Sequence, residues 1–186
     1  MDDKRIIELL WQRDEGGLDA ARQKYGRLCY SVAYNILGDS LDSEEAVNDT
    51  YLHAWNAIPP HRPTRLGAFL CKITRELSID RYRRRQADKR SGSSYAASLE
   101  ELKECLSAGD TAEEAVDAEA LAAIIGAWLH TLSPAVRAAF VRRYFFADSL
   151  EVIARRQGVT RSWVKTALHR ARQGLRACLE KEGYTV

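Results

Sequence analysis

Three observations predict an all-α chain of two small helical domains joined by an acidic, flexible linker. Apolar residues recur at spacings of three and four through most of the chain, and Gly and Pro fall between those runs. Charge alternates in blocks: residues 1–61 are acidic, residues 62–90 hold ten Lys and Arg against three acids, and residues 91–120 hold eight acids against Lys103 alone. The C-terminal part is basic again. Finally, residues 91–110 contain SGSS, acids and Gly109 with little periodicity before LEELKECL, which reads as a linker with one short helical turn. The predicted units are therefore 1–90, a linker at 91–111, and 112–186.

At 186 residues and 46% hydrophobic content the chain is long enough to bury a core without suggesting a membrane protein. The segment MDDKRIIELLWQRDEGG opens with acids and has no long apolar run, so neither a signal peptide nor a transmembrane helix is expected, and the cytoplasm is the default location. Cys29, Cys71, Cys105 and Cys178 are far apart and form no C-x-x-C pair. That spacing argues against a zinc site and a disulfide framework and favours small core residues.

Each element follows from its own pattern. Asp2 to Arg13 reads as a short helix with Ile6, Leu9 and Leu10 apolar, ended by Gly16 and Gly17. Leu18 to Leu37 is a longer helix with Leu28, Val32 and Ile36 on one face, closed by Gly38. Asp42 followed by Glu45 is a capping-box-like start for a helix to about Ala57, with Val47, Tyr51, Trp55 and Ile58 as its stripe. Pro59, Pro60 and Pro63 stop it. From Arg65 to about Lys89 the next helix begins apolar, with Phe69, Leu70, Ile73, Leu77 and Ile79, and ends almost wholly basic. Tyr82 stands among its arginines, a combination suited to holding phosphates and stacking on unpaired bases.

Beyond the linker, Thr111 can cap a helix with Leu121, Ile124, Ile125, Trp128 and Leu129 as its core face. Ser133 and Pro134, an N-cap and a first-turn proline, start another helix through Phe146. The last two helices meet at a short break. Leu150, Ile153 and Ala154 share a face of the first, which Gly158 stops; Thr160 caps the second, where Val164, Leu168, Ala171, Leu175 and Leu179 recur at helical spacing. Arg161, Lys165, His169, Arg172 and Arg176 line the other side with almost no acid to balance them. Helix, glycine-containing turn and basic helix make a helix-turn-helix, which places its second helix in the DNA major groove. Two basic blocks imply two polyanion-binding surfaces, because releasing condensed counterions rewards clustered Lys and Arg.

No catalytic residue, metal ligand set or cofactor motif stands out. Glu44, Glu45, Asn48 and Asp49 cluster near a helix N-terminus, where acids complement the dipole by about 0.3–1 kcal/mol each. A metal-dependent nuclease built on Glu44, Glu45, Asp49 and His53 lacks a second ligand cluster.

The chain resembles the extracytoplasmic-function (ECF) sigma factors, the small two-domain branch of the bacterial sigma-70 family. DSEEAVNDTYLHAWNAI followed by FLCKITRELSIDRYRRR is similar to the second sigma domain, and LSPAVRAAFVRRYFFADSLEVIARRQGVTRSWVKTALHRARQGLR to the fourth. The resemblance implies a dissociable initiation subunit, not an enzyme, whose partners are core RNA polymerase and promoter DNA. It implies that Glu45, Asn48, Asp49 and Leu52 dock on the clamp helices of the beta-prime subunit, with a second contact to the beta flap. It also implies that the loop from Asn56 to Thr64, with Arg75, Glu76, Asp80, Arg81 and Arg84, meets the minus-10 element and holds a flipped base. Arg161, Ser162, Lys165, Thr166, His169 and Arg170 would meet the minus-35 element, and the acidic linker would thread a polymerase channel. Many relatives are held inactive by an anti-sigma factor covering the polymerase-binding faces. Two residues depart from the pattern: Glu76 stands where many relatives have Asn, and Trp163 is unusually large for the recognition turn. The alternative from another class is a free-standing helix-turn-helix regulator of duplex DNA, which leaves the basic helix around Arg81 to Arg85 unexplained.

Overall fold

In a computed structural model that describes residues 1–86, 94–106 and 118–184, all the regular structure is α-helical. The chain divides into two compact units, Met1–Tyr95 and Ala96–Val186. The expected boundaries at 90/91 and 111/112, and the cap at Thr111, lie outside the described residues. Among the described residues no helix is long and apolar enough to cross a membrane.

The first unit packs α1 (Asp3–Trp11), α2 (Gly16–Leu37), α3 (Ser40–Ala57) and α4 (Leu66–Gln86). The Asp2 carboxylate accepts from the Arg5 amide and starts α1, whose Ile6, Ile7, Leu9 and Leu10 are all buried. Gly16 and Gly17 do not end α1, as expected, but open α2. A Cβ on Gly17 would stand 2.9 Å from the Leu10 amide nitrogen, so glycine is what lets the two helices approach. Gly38, with φ of 67°, closes α2 as a left-handed C-cap. The start of α3 is also corrected: Asp39, not Asp42, is the N-cap, its side chain accepting from the Asp42 amide at 3.0 Å.

The core of this unit is formed by Ile6, Leu10, Cys29, Tyr51, Ile58, Leu66 and Leu70. Leu28 is left 38% exposed, and Val32 and Ile36 carry the buried side of α2. The α3–α4 contact is more polar than the apolar pattern suggests. Ser43, Thr50, Thr74 and Ser78 are fully buried, and each hydroxyl is bonded to the carbonyl four residues back. Thr50 and Thr74 also meet across the helices at 3.1 Å. Satisfied in this way, small hydroxyls cost little to bury and allow close helix approach. Cys29 and Cys71 are buried, Cys178 is partly buried, and none of the three is in a disulfide.

The second unit contains α6 (Ala118–Thr131), α7 (Pro134–Tyr144), α8 (Leu150–Gln157) and α9 (Arg161–Lys181). Trp128, Phe140, Tyr144, Ile153, Val164, Leu168, Leu175 and Leu179 make its core, with the Trp128 and Phe140 rings edge-to-face at 5.1 Å. Gly158, with φ of 65°, ends α8, and the Thr160 hydroxyl caps α9 by accepting from the Trp163 amide at 3.1 Å.

The stretch expected to hold one helical turn forms α5 (Ser94–Leu106), 13 residues long. Its order comes from tertiary anchors. Tyr95, at the end of the first unit, is buried edge-on against Tyr82. Within the second unit Leu102 packs on the core, and Glu101 is held by Arg143 through two hydrogen bonds of 2.7 and 3.2 Å.

Candidate polymerase and nucleic-acid interfaces

Helix α3 turns two different edges outward. Asn48 and Leu52 lie in a groove of about 470 Å³ shared with Glu15, Leu18, Asp19 and Arg22 of α2 and its N-terminal flank, and with Tyr51 and Trp55. Leu52 is 57% exposed, a large apolar side chain left at the surface of that groove. Glu45 and Asp49 face the other way. Arg81 of α4 reaches between them, 2.7 Å from Glu45 Oε2 and 2.5 Å from Asp49 Oδ2. The hydrogen bond from Arg81 holds Glu45 below the usual carboxylate range, and the same bond raises the Arg81 pKa. The structure thus separates the four expected polymerase contacts into a groove pair and an ion-paired pair.

The five minus-10 candidates divide as well. Glu76, Asp80 and Arg84 follow one another at four-residue intervals along α4, all exposed, with Lys72 continuing the strip 3.9 Å from Glu76. Arg75 instead lays its guanidinium over the Tyr95 ring at 5.7 Å, and Arg81 is turned to α3. Tyr82, expected among the base-stacking groups, is only 6% exposed, so it is a core residue. Its place on the buried side of α4 follows from four-residue spacing after Ser78, Thr74 and Leu70.

On α9 all six minus-35 candidates are exposed: Arg161, Ser162, Lys165, Thr166, His169 and Arg170. Arg161 pairs with Glu151 of α8 at 2.8 Å. Lys165, His169 and Arg170 have no ion-pair partner among the described residues. Thr166 and Arg170 also border an apolar groove of about 290 Å³ with Leu132, Val136, Ala167 and Trp163. Trp163, 37% exposed, lines that groove.

The basic ridge of α9 is less bare of acid than its sequence suggests. Arg172 is largely buried against Glu101 and donates to the Tyr144 hydroxyl at 2.7 Å, and Arg176 pairs with Glu180 at 2.9 Å. Glu101 is remote in sequence, so periodicity alone did not show it, whereas Glu180 stands four residues after Arg176 on the same helix. The free positive charge is therefore concentrated in the first half of α9. Arg155 and Arg156 of α8, exposed as well, add to it and were not singled out from the sequence, although they follow Ala154 directly. An α-helix presenting unpaired cations from its N-terminal half has the size and charge to enter a DNA major groove and meet phosphates on its walls. Among the described residues no three His, Cys, Asp or Glu side chains are grouped to hold a metal ion.

Comparison with known proteins agrees with this division. Residues 22–88 match the family model Sigma-70 region 2, and residues 123–175 match Sigma-70, region 4. The chain is similar to the ECF RNA polymerase sigma factor SigE of Mycolicibacterium smegmatis, 30% identical over 164 residues, covering 88% of this chain and 61% of that protein. It is also similar to the ECF RNA polymerase sigma factor SigK of Mycobacterium ulcerans, 26% identical with 92% of each chain covered. SigL of Mycobacterium tuberculosis, another ECF RNA polymerase sigma factor, is 28% identical over 89% of this chain and 90% of its own. The region 2 match covers all of α3 and the α4 strip, and the region 4 match spans α8 and α9 up to Leu175. The chain belongs to the sigma-70 family of RNA polymerase sigma factors, in its extracytoplasmic-function branch.

Proposed function

We propose that this chain is a non-enzymatic initiation subunit that works in the cytoplasm, joins core RNA polymerase, and directs it to promoters through two DNA-binding surfaces. The observation that carries the reading is the exposure of all six α9 candidates together with the lack of ion-pair partners at Lys165, His169 and Arg170 among the described residues. That half of α9 meets the minus-35 element as duplex. On α4, Glu76, Asp80 and Arg84 face the minus-10 element once it melts, and Glu76 sets a base preference different from that of an amide. Unstacking a base costs a few kcal/mol, so phosphate contacts and a seat for the extruded base have to offset it.

Asn48 and Leu52 take the beta-prime clamp helices in the α2–α3 groove, with Glu45 and Asp49 meeting basic groups at its edge. The beta flap uses the second unit, where the groove lined by Leu132, Val136 and Trp163 offers an apolar seat. An anti-sigma factor covering these two faces would hold the chain inactive.

Run-off transcription with bacterial core polymerase on a pool of upstream sequences tests this. Start sites that appear only with the chain present are expected. Core polymerase that gains nothing, while the chain alone shifts duplex DNA, would replace the reading with a free-standing regulator. On a recovered promoter, Lys165→Ala is expected to weaken complex formation roughly equally across minus-35 variants and to lower the salt-dependence slope by about 1, as loss of a phosphate contact does. A titration of complex formation against salt reads both effects.

A further inference from the structure

The two sets of residues assigned to polymerase and to the minus-10 strand are tied to each other within the first unit. Asp42, Glu45 and Asp49 fall on one edge of α3; Arg81 and Arg85 fall one turn apart on the facing edge of α4. Arg81 bridges Glu45 and Asp49, at 2.7 and 2.5 Å, and Arg85 pairs with Asp42. These groups line a cleft of about 440 Å³ with Leu77, Asp80 and Arg84.

The exposure along this seam is unequal. Arg81 keeps 22% of its side-chain surface, whereas Glu45 keeps 64% and Asp49 39%. A partner arriving on the α3 side can therefore reach the carboxylates while the guanidinium is still occupied. Arg84, three residues after Arg81 and exposed, has no such clasp among the described residues.

A guanidinium held by two carboxylates has its fork of N–H donors committed and its charge neutralised, so it contributes little to phosphate binding. If basic groups take over Glu45 and Asp49, the same guanidinium becomes available a short rotation from the strip that carries Asp80 and Arg84. From this we infer that the α3–α4 seam is a latch: in the free chain Glu45 and Asp49 withhold Arg81 from nucleic acid, and polymerase docking on those carboxylates releases it to the promoter strand. The inference rests on the reading of Glu45 and Asp49 as polymerase contacts. Partly exposed ion pairs are individually weak, which makes the exchange reversible. Linkage then requires reciprocity, so the promoter strand strengthens polymerase binding by the same factor.

The test is a double-mutant cycle on the full chain without polymerase, reading affinity for a short labelled single-stranded DNA of mixed sequence. Glu45→Gln/Asp49→Asn frees Arg81, and Arg81→Gln is introduced in both backgrounds. Glu44→Gln/Asp19→Asn removes the same charge from the same unit without touching Arg81. The latch predicts a gain of about threefold or more in the neutralised background beyond that control, abolished by Arg81→Gln, which in the native background changes affinity by less than about twofold. An equal gain in the control, or the same cost of Arg81→Gln in both backgrounds, overturns it. Glu45→Gln alone, at the more exposed carboxylate, repeats the cycle should the double variant lose helicity.

Core polymerase affinity of the same variants separates the two claims. Weakened core binding with no coupling in the cycle keeps the docking reading and removes the latch. Coupling with unchanged core binding keeps the clasp on Arg81 but removes both polymerase as its trigger and the docking role of the two acids.

Discussion

Glu101→Gln is expected to cost about 3 kcal/mol in the second unit, toward the lower end of what breaking one side of a buried ion pair costs, because Glu101 keeps 25% of its side-chain surface. Arg143 keeps only 4% and would lose the carboxylate that accepts from both its Nε and Nη2. Arg172 and the Tyr144 hydroxyl bond the same carboxylate, at 3.4 and 3.0 Å, so a single substitution disturbs three partners. Amide hydrogen exchange along α5 and α7 reads the loss directly, and unchanged protection would show that α5 is held by Leu102 and its own helix instead.

The same residue gives a pH signature. Burial pushes the Glu101 carboxyl up, but hydrogen bonds from Arg143 and Tyr144 and the charge of Arg172 outweigh it and leave the group below its ordinary value of 4.5. A carboxyl lowered in the folded state stabilises fully above its unfolded pKa and loses that contribution as pH falls through the lower folded value. Protection of α5 is therefore expected to fall on acidification below about pH 4.5 in the native chain. Glu101→Gln removes that acid limb and leaves α5 weakly protected at every pH.

Leu52→Asp is expected to weaken core polymerase binding by tenfold or more while leaving the fold intact, since an apolar anchor at an interface centre commonly contributes about 2 kcal/mol or more. Leu52 is 57% exposed in the free chain, so the substitution places a charge in water and empties no cavity. Asp at this position would instead carry an unpaired carboxylate into the contact when polymerase closes on the α2–α3 groove. Core-binding titrations with thermal unfolding as control distinguish the effects; unchanged affinity would move the docking site off this groove. Ala is the milder companion, losing area without adding charge.

What could be read from sequence was what repeats. The order of the helices, the Gly38 and Gly158 stops, the Thr160 cap and the exposed window from Arg161 to Arg170 all follow from periodicity and turn chemistry acting over a few residues. The misplaced details depend on partners distant in the chain. Glu101 reads as one acid in an acidic linker until Arg143, 42 residues later, is folded against it. Arg81 reads as one more cation in a basic run until α3 brings Glu45 and Asp49 to it. Tyr82 looked available for base stacking because its neighbours are arginines, yet the four-residue step from Ser78 puts it on the buried side. Polar residues in the α3–α4 core were missed for a related reason: Thr50, Thr74 and Ser78 satisfy themselves on their own helices, and no hydropathy pattern records that. Site residues are thus legible as types on a helix, and their division into free and engaged groups needs the fold.

The measurement that tests the central claim most directly is element-resolved transcription on a promoter recovered with this chain, comparing Lys165→Ala and Arg84→Ala over systematic changes in each element. Lys165→Ala is predicted to lower transcription by a similar factor at every upstream-element sequence and to have no effect once the upstream duplex is removed, and Arg84→Ala to slow open-complex formation and alter dependence on the downstream element alone. Both variants acting on one element, or neither changing transcription while duplex binding by the isolated chain is lost, would contradict a two-surface initiation subunit.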